Sequence, residues 1–249
     1  MEVHDRIHFG SGVVYLNGWI NVDLDSPVAD RCLDLTEPLP FISNTVSHIY
    51  SEHFIEHVTR AQAISFLREC HRVLMPGGAI RISTPNLRFL ISSYLAGNID
   101  EWGDLWQPDT LCSMMNEGMR AWGHHWVYDA EELVRVLQEA GFNSIVFQHY
   151  GKSQQSEFTG LESRPFHHDL IVEATRSVRK PLVDFSALRE DEQNWINQRA
   201  LLEAKEQTIG DQATHIGNVE AELNKLKSSL SWRLTLPIRQ FAEFLKLNK

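Results

Sequence analysis

Two glycines and two aspartates near the start of the chain have the types and spacing that bind a nucleoside. Gly10-Ser11-Gly12 follows a short apolar run, and glycines there let the backbone turn tightly and let a ligand approach its amide groups. Asp23 ends the next apolar run, where a carboxylate can accept hydrogen bonds from both hydroxyls of a ribose. Asp34 ends a third run and could accept a hydrogen bond from an adenine amino group. The pattern predicts a nucleoside pocket at the edge of a sheet.

An α/β sheet must bring these residues together, because residues 7–175 alternate short apolar runs with helical periods. Residues 86–127 and 150–168 are rich in Trp, Gly, His and Pro and show no clear period, so we expect them to be substrate loops over one edge of the sheet. The predicted strands are Ile7–Phe9, Trp19–Leu24, Arg31–Asp34, His48–Ser51, Ala79–Ser83, Ser144–Gln148 and Leu170–Ala174.

Two helices have both ends marked in the sequence. Thr59 and Gln62 form a capping-box pair at the start of the first, and Gly77 and the residues beside it end that helix. Asp129 caps the second helix, which ends at Gly141.

Five segments, in chain order, resemble a known family: Ile7–Gly12, Asn21–Asp25, Asp34–Phe41, Ile49–His57 and Leu67–Ser83. They are similar to class I S-adenosylmethionine-dependent methyltransferases of the type 11 group, over about residues 5–175. The resemblance implies a Rossmann-like α/β sheet, methyltransferase activity and S-adenosylmethionine as cofactor. Only eight residues separate Gly12 from Asn21, so the usual helix between the first two strands is expected to be short or missing.

The same resemblance implies which residues bind the cofactor. The glycine loop would surround the methionine moiety, the first aspartate would bind the ribose, and the second aspartate with the next leucine would contact the adenine. The serine that ends the fourth strand would face the sulfonium. Without the helix, the cofactor's carboxylate lacks a helix N-terminus as a partner, so we expect a modest affinity. The residues assigned in this way are Gly10, Ser11, Gly12, Asp23, Asp34, Leu35 and Ser51.

The implied reaction is in-line attack of an acceptor nucleophile on the methyl group of the sulfonium, and alignment and water exclusion supply most of the rate. A hydroxyl acceptor also needs a base, and an imidazole titrates near neutral pH. His124 and His125, in a Trp-Gly-His-His-Trp stretch, are the first choice, and His53 would face the sulfonium and the acceptor. The further candidates are His57, His167 and His168.

The run His53-Phe-Ile-Glu56-His57 also matches the H-x-x-E-H pattern of some zinc proteases. That pattern requires one continuous helix, whereas these residues follow a predicted strand. Some methyltransferases similar to this chain bind a divalent ion through an E-x-x-E-H run at this place, so a metal at His53, Glu56 and His57 stays open. We assign no metal ligand from the sequence.

Composition and charge exclude several classes of protein. With 43% hydrophobic and 22% charged residues the chain is globular, and no apolar run has the roughly 18–20 residues that span a bilayer. The net charge of −10 argues against tight binding of nucleic acid. The first residues do not form a signal peptide, and Cys32, Cys70 and Cys112 lack metal-type spacing. We therefore expect buried thiols and a cytoplasmic protein.

The sequence changes character after Lys180-Pro181. Gly210 and Gly217 lower the helix propensity there, and a polar helix lying on its own domain is one interpretation. The other is a long helix with a coiled-coil tendency, since apolar residues recur every seven positions at Leu188, Trp195, Leu202, Ile209, Ile216, Leu223 and Leu230. The predicted domains are 1–177, methyltransferase; 178–187, linker; 188–230, helical or coiled-coil segment; and 231–249, basic amphipathic tail.

The tail directs the functional hypothesis. Ser229–Arg239 is similar to a C-terminal motif of bacterial surface-polysaccharide glycosyltransferases and methyltransferases, and residues 225–249 carry a net charge of +5. Such a segment could lie on an anionic inner membrane, or pack on a partner protein or on the domain. We expect O-methylation of a sugar or glycan in cell-surface polysaccharide biosynthesis, and a homo-oligomer formed by the helical segment. The alternative is a catalytically weak methyltransferase-like scaffold that acts through its coiled coil and tail.

Overall fold

An eight-stranded sheet organises the first of two compact units, Met1–Gln193. The computed structural model describes residues 6–99, 106–164, 168–177 and 181–228. The strands are β1 (Arg6–Phe9), β2 (Ile20–Asp23), β3 (Arg31–Cys32), β4 (Val46–Glu52), β5 (Leu74–Thr84), β6 (Ser144–Phe147), β7 (Leu170–Thr175) and β8 (Leu182–Asp184). Their order is β3-β2-β1-β4-β5-β7-β6-β8, and only β7 runs antiparallel to its neighbours β5 and β6. All seven predicted strands are confirmed, and β8 adds an eighth inside residues 178–187.

The central strands are buried on both faces, which is why they read as apolar runs rather than alternating ones. Ile49 and Tyr50 of β4 and Ile80 of β5 are fully buried. Cys70 is buried as expected. Cys32, on the edge strand β3, and Cys112 are exposed, so the prediction of buried thiols is wrong for these two, which lie outside the core.

Helix α1 (Arg60–Val73) begins with the predicted capping box, since the Thr59 side chain accepts from the Gln62 backbone and the Gln62 side chain accepts from the Thr59 backbone. Helix α4 (Ala130–Glu139) is capped by Asp129, as predicted. Helices α2 (Leu87–Ala96) and α3 (Leu111–Arg120) lie in the segment predicted to be loops. Their caps, Asn86 and Thr110, accept hydrogen bonds from the first turn and were the available sequence signal.

The connection from β1 to β2 contains turns and no helix, as the short spacing predicts. The buried side chain of Asn21 fixes the backbone of this connection through hydrogen bonds. Its amide nitrogen donates to the carbonyls of Leu16 and Trp19, and its oxygen accepts from the Leu16 backbone nitrogen at 2.9 Å. One side chain therefore satisfies backbone groups that a helix would otherwise have paired.

A buried ion network fixes the segment after β6 to the sheet. The Arg81 side chain on β5 is fully buried and contacts Glu162 and Glu173, each at 2.5 Å. Glu162 also accepts from the Gly151 backbone nitrogen at 3.0 Å, and the next residue, Ser163, donates to Glu52 of β4. The segment 151–163 is thus closed by the bond between Gly151 and Glu162 and attached to β4 through Ser163.

Helix α5 (Glu190–Ser228) forms most of the described part of the second unit, Asn194–Lys249. Within it Leu202, Ile209, Ile216 and Leu223 are all exposed, at intervals of seven. Among the helices that the structure describes, none has both the length and the apolarity needed to cross a membrane. The predicted tail, 231–249, lies outside the described residues.

Candidate active site

A cavity of about 480 Å³ lies where the carboxyl ends of β1, β2 and β4 meet. This edge is where ligands bind in open α/β sheets. Six of the predicted cofactor residues line it: Gly10, Ser11, Gly12, Asp23, Asp34 and Leu35. Ser51 does not line it; its side chain is buried at the end of β4 and is directed to neither cavity described here, which corrects that prediction.

The glycine loop has the geometry that requires glycine. Gly10 has φ +66°, and a Cβ there would stand 2.9 Å from the Cβ of Phe54. Gly12 has φ +51°, and its backbone nitrogen donates to Asp23 at 2.7 Å. The Ser11 hydroxyl is buried without a hydrogen-bond partner in the described residues, which leaves it for a polar ligand atom.

The two aspartates stand at the rim of this cavity. Asp23 is half-buried, and its carboxylate, besides holding Gly12, accepts from the Asp25 backbone nitrogen. Asp34 is exposed and accepts from the hydroxyl and backbone nitrogen of Thr36, and these hydrogen bonds lower the pKa of Asp34. Their carboxylate oxygens can accept further hydrogen bonds from ribose hydroxyls or an amino group. These residues fit S-adenosylmethionine.

A second cavity of about 460 Å³ adjoins the first. Phe89, Trp106 and Trp122 give it an aromatic wall, and the indole rings of the two tryptophans meet edge to face at 5.3 Å. Of the residues that the structure describes, four line both cavities: His53, His57, Ser163 and Arg164. A donor in the first cavity and an acceptor in the second can therefore meet at this shared wall.

His53 stands in the shared wall as a cation. Its Nε2 lies 2.7 Å from Asp169 and its Nδ1 lies 3.0 Å from Glu56. Burial disfavours the charged imidazole, but hydrogen bonds and charge from Asp169 and Glu56 outweigh it and raise the pKa of His53 to about 9. A protonated imidazole cannot accept a proton, so His53 does not suit the role of base.

Asp169 is a polar group of the second cavity that the sequence analysis did not single out. One oxygen of its carboxylate is held by His53 and by the Ser83 hydroxyl at 3.1 Å. The other oxygen, Oδ1, is buried without a hydrogen-bond partner in the described residues. Asp169 precedes β7, 116 residues from His53, and no local motif connects the two.

His124 and His125, the two preferred candidates for the base, occupy different environments in the structure. His124 lines the second cavity, and its Nδ1 bonds the Gly118 carbonyl at 3.0 Å, which leaves Nε2 as an acceptor. His125 is exposed and lines neither cavity; only its backbone nitrogen takes part, donating to the Glu56 carbonyl at 2.7 Å. His167 lies outside the described residues.

Glu56, His57 and His124 place one ligand atom each within 4.8 Å of one another, so this set could hold a divalent metal ion. The possible metal ligands that the sequence left open were His53, Glu56 and His57. In the structure His124 takes the place of His53, whose Nε2 is paired with Asp169. The zinc-protease pattern is wrong for this chain, because its residues straddle the end of β4 and a single 3₁₀ turn, Ile55–His57.

One segment of the chain matches a known family. Residues 20–82, from β2 to β5, match the family described as methyltransferase domain. This confirms that the chain carries a methyltransferase segment and that S-adenosylmethionine is its methyl donor, as the sequence predicts. None of the curated proteins is similar enough to count as a match.

Three solved S-adenosylmethionine-dependent methyltransferases resemble the chain weakly. The protein from Thermotoga maritima is 15% identical, with 71% of this chain and 84% of that chain covered and a TM-score of 0.45. The Mesorhizobium loti protein is 19% identical, covering 71% and 94%, with a TM-score of 0.40. The Archaeoglobus fulgidus protein is 16% identical, covering 69% and 86%, with a TM-score of 0.41.

Proposed function

We propose that the chain transfers the methyl group of S-adenosylmethionine to a hydroxyl of a sugar or glycan in cell-surface polysaccharide biosynthesis. The observation that carries the proposal is the pair of adjoining cavities with a shared wall of four residues. The cofactor supplies a methyl group on a sulfonium, and the thioether that leaves is neutral. The protein must therefore mainly align the two reactants and exclude water.

The first cavity holds the cofactor in this proposal. Asp23 accepts hydrogen bonds from the ribose and Asp34 from the adenine amino group, with Leu35 packed against the base. The glycine loop lets the methionine moiety approach the backbone. Support comes from the lining of the cavity and from the buried Ser11 hydroxyl, which has no partner in the described part of the chain.

The second cavity holds the acceptor. Trp106 and Trp122 offer flat faces that suit the C–H face of a sugar ring, and Asp169 and His124 offer acceptors for its hydroxyls. Asp169 Oδ1 takes the proton of the attacking hydroxyl in this proposal, because it is buried and has no hydrogen-bond partner among the described residues. His53 and Ser83 hold the other oxygen and so orient the carboxylate. His124 is the second candidate base.

Calorimetric titration tests the cofactor site. We expect Asp23→Ala to weaken S-adenosylmethionine binding by about 100-fold or more, since two hydrogen bonds to a charged group are lost. Asp211→Ala, an exposed aspartate on α5, is the matched control and should bind as the wild type does. An unchanged affinity of the Asp23 variant would place the ribose elsewhere.

Transfer of a tritiated methyl group to cell-envelope extracts tests the acceptor. Label in a polysaccharide fraction, lost in Asp169→Asn, is the expected result. Cofactor binding without transfer to any fraction would favour the scaffold function instead.

The exposed heptad face of α5 supports assembly with a second copy of the chain. Leu202, Ile209, Ile216 and Leu223 form one apolar stripe, and such stripes associate as coiled coils. In sedimentation experiments, Ile209→Ser combined with Ile216→Ser should reduce the mass to that of one chain. The tail, 231–249, completes the proposal as a contact with anionic lipid; its deletion should weaken binding to anionic liposomes.

A further inference from the structure

We propose that Arg164 binds the carboxylate of the cofactor's methionine moiety, in the role that a helix after β1 would otherwise serve. The inference rests on the proposed function, since it assigns a residue to the cofactor cavity. Arg164 lines both cavities and therefore stands at the wall where donor and acceptor meet. An arginine can bind a carboxylate through two parallel hydrogen bonds.

Three backbone nitrogens of the loop after β1 already donate hydrogen bonds inside the protein. The backbone nitrogen of Ser11 donates to the Val22 carbonyl at 3.1 Å, and that of Val14 donates to the Ser11 carbonyl at 2.9 Å. The Gly12 nitrogen donates to Asp23 at 2.7 Å. A helix N-terminus would present free amide groups and a partial positive charge to an anion, and these three amides cannot. A cationic side chain in the cavity wall would give the carboxylate the partner that these three amides do not.

The charge of the cavity points to the same conclusion. Among the described residues, four carboxylates line it, on Asp23, Asp25, Asp34 and Glu52. They favour the cationic parts of the cofactor and repel its carboxylate. Arg164 is the only Lys or Arg among the described residues of this lining. The cation on His53 is already paired with two buried carboxylates.

The backbone beside Arg164 is fixed although the side chain is exposed. Ser163 donates to Glu52 from its backbone nitrogen at 2.9 Å and from its hydroxyl at 2.8 Å. Glu162 is tied to the buried Arg81. Arg164 itself makes no ion pair within the described part of the chain, so its guanidinium is available to a ligand from a well-placed backbone.

The test compares two cofactors by calorimetry with the full chain: S-adenosylmethionine, and its decarboxylated form, which keeps the sulfonium and the ammonium. We expect Arg164→Gln to weaken binding of S-adenosylmethionine by about 10- to 100-fold and to change binding of the decarboxylated form by less than about twofold. Arg164→Lys should retain part of the affinity for S-adenosylmethionine, because it keeps the positive charge. It should not retain all of it, because the two parallel hydrogen bonds of the guanidinium are lost. Arg135→Gln, at an exposed arginine of α4, is the matched control.

The outcomes separate this inference from the function on which it rests. Equal weakening of both ligands by Arg164→Gln, or no weakening of either, would overturn the role of Arg164 and leave the cofactor site intact. An unchanged affinity for S-adenosylmethionine with a raised KM for the acceptor would likewise overturn it and place Arg164 on the acceptor. Failure of the wild type to bind either ligand would overturn the proposed function as well.

Discussion

Removal of Arg81 should be among the most damaging single changes in the first unit. The Arg81 side chain is fully buried, and Glu162 and Glu173 beside it are 1% and 6% exposed. Arg81→Met leaves two buried carboxylates without their cation, and breaking such a pair costs about 3–5 kcal/mol of the free energy of unfolding. Donors that remain, Gln148 on Glu173 and Gly151 on Glu162, reduce the loss without replacing the charge.

The chain contains a matched control for this change. Arg60 also contacts two glutamates, Glu132 and Glu139, but at the surface, where the arginine side chain is 28% exposed. Because solvent screens surface ion pairs and they contribute little to stability, Arg60→Met should cost far less than Arg81→Met. Replacing Arg81 by Met together with Glu162→Gln and Glu173→Gln should recover stability relative to Arg81→Met, because no buried charge is left unpaired.

Urea denaturation followed by fluorescence measures these free energies, with a second probe to check that the transition is two-state. A cost for Arg81→Met no larger than that for Arg60→Met would refute the reasoning. So would a triple variant less stable than the single one. Because Glu162 precedes two residues of the shared wall, Arg81→Met should also weaken cofactor binding at temperatures where the unit is folded.

Three further predictions concern the site. Gly10→Ala should lower the free energy of unfolding by about 1–3 kcal/mol, because it forces a Cβ into the left-handed region against Phe54, and wild-type stability in urea would contradict this. Asp169→Asn should reduce kcat by about 10²–10⁴-fold at unchanged cofactor affinity, and kinetics with a wild-type kcat would exclude it as the base. His124→Ala should weaken Zn²⁺ binding measured by calorimetry by more than about 10-fold, while His125→Ala should not; equal effects would move the metal elsewhere.

The sequence by itself predicted those features that depend on neighbours in the chain. The capping box of Thr59 and Gln62 and the cap at Asp129 are short-range hydrogen bonds, and both are confirmed. The strands are apolar runs because the sheet is buried on both faces. The missing helix after β1 followed from a count of residues, since eight positions are too few for a helix and its two turns. Helices α2 and α3 were not predicted. Few of their residues are buried, Phe89, Leu90 and Ser93 in α2 and Met114 and Gly118 in α3, so little of each helix belongs to the core.

Only the tertiary structure decided which polar groups meet. That Gly10, Asp23 and Asp34 line one cavity could be predicted, because each follows or ends a strand and strand ends converge at one edge of a parallel sheet. Leu35 was assigned from the family resemblance alone. The charge on His53 could not be predicted, since it depends on Asp169, which is 116 residues away along the chain. The choice between His124 and His125 was equally undetermined, because adjacent residues point in different directions. Proton affinity and access are set by burial and by distant charges, and neither is a property of a local sequence.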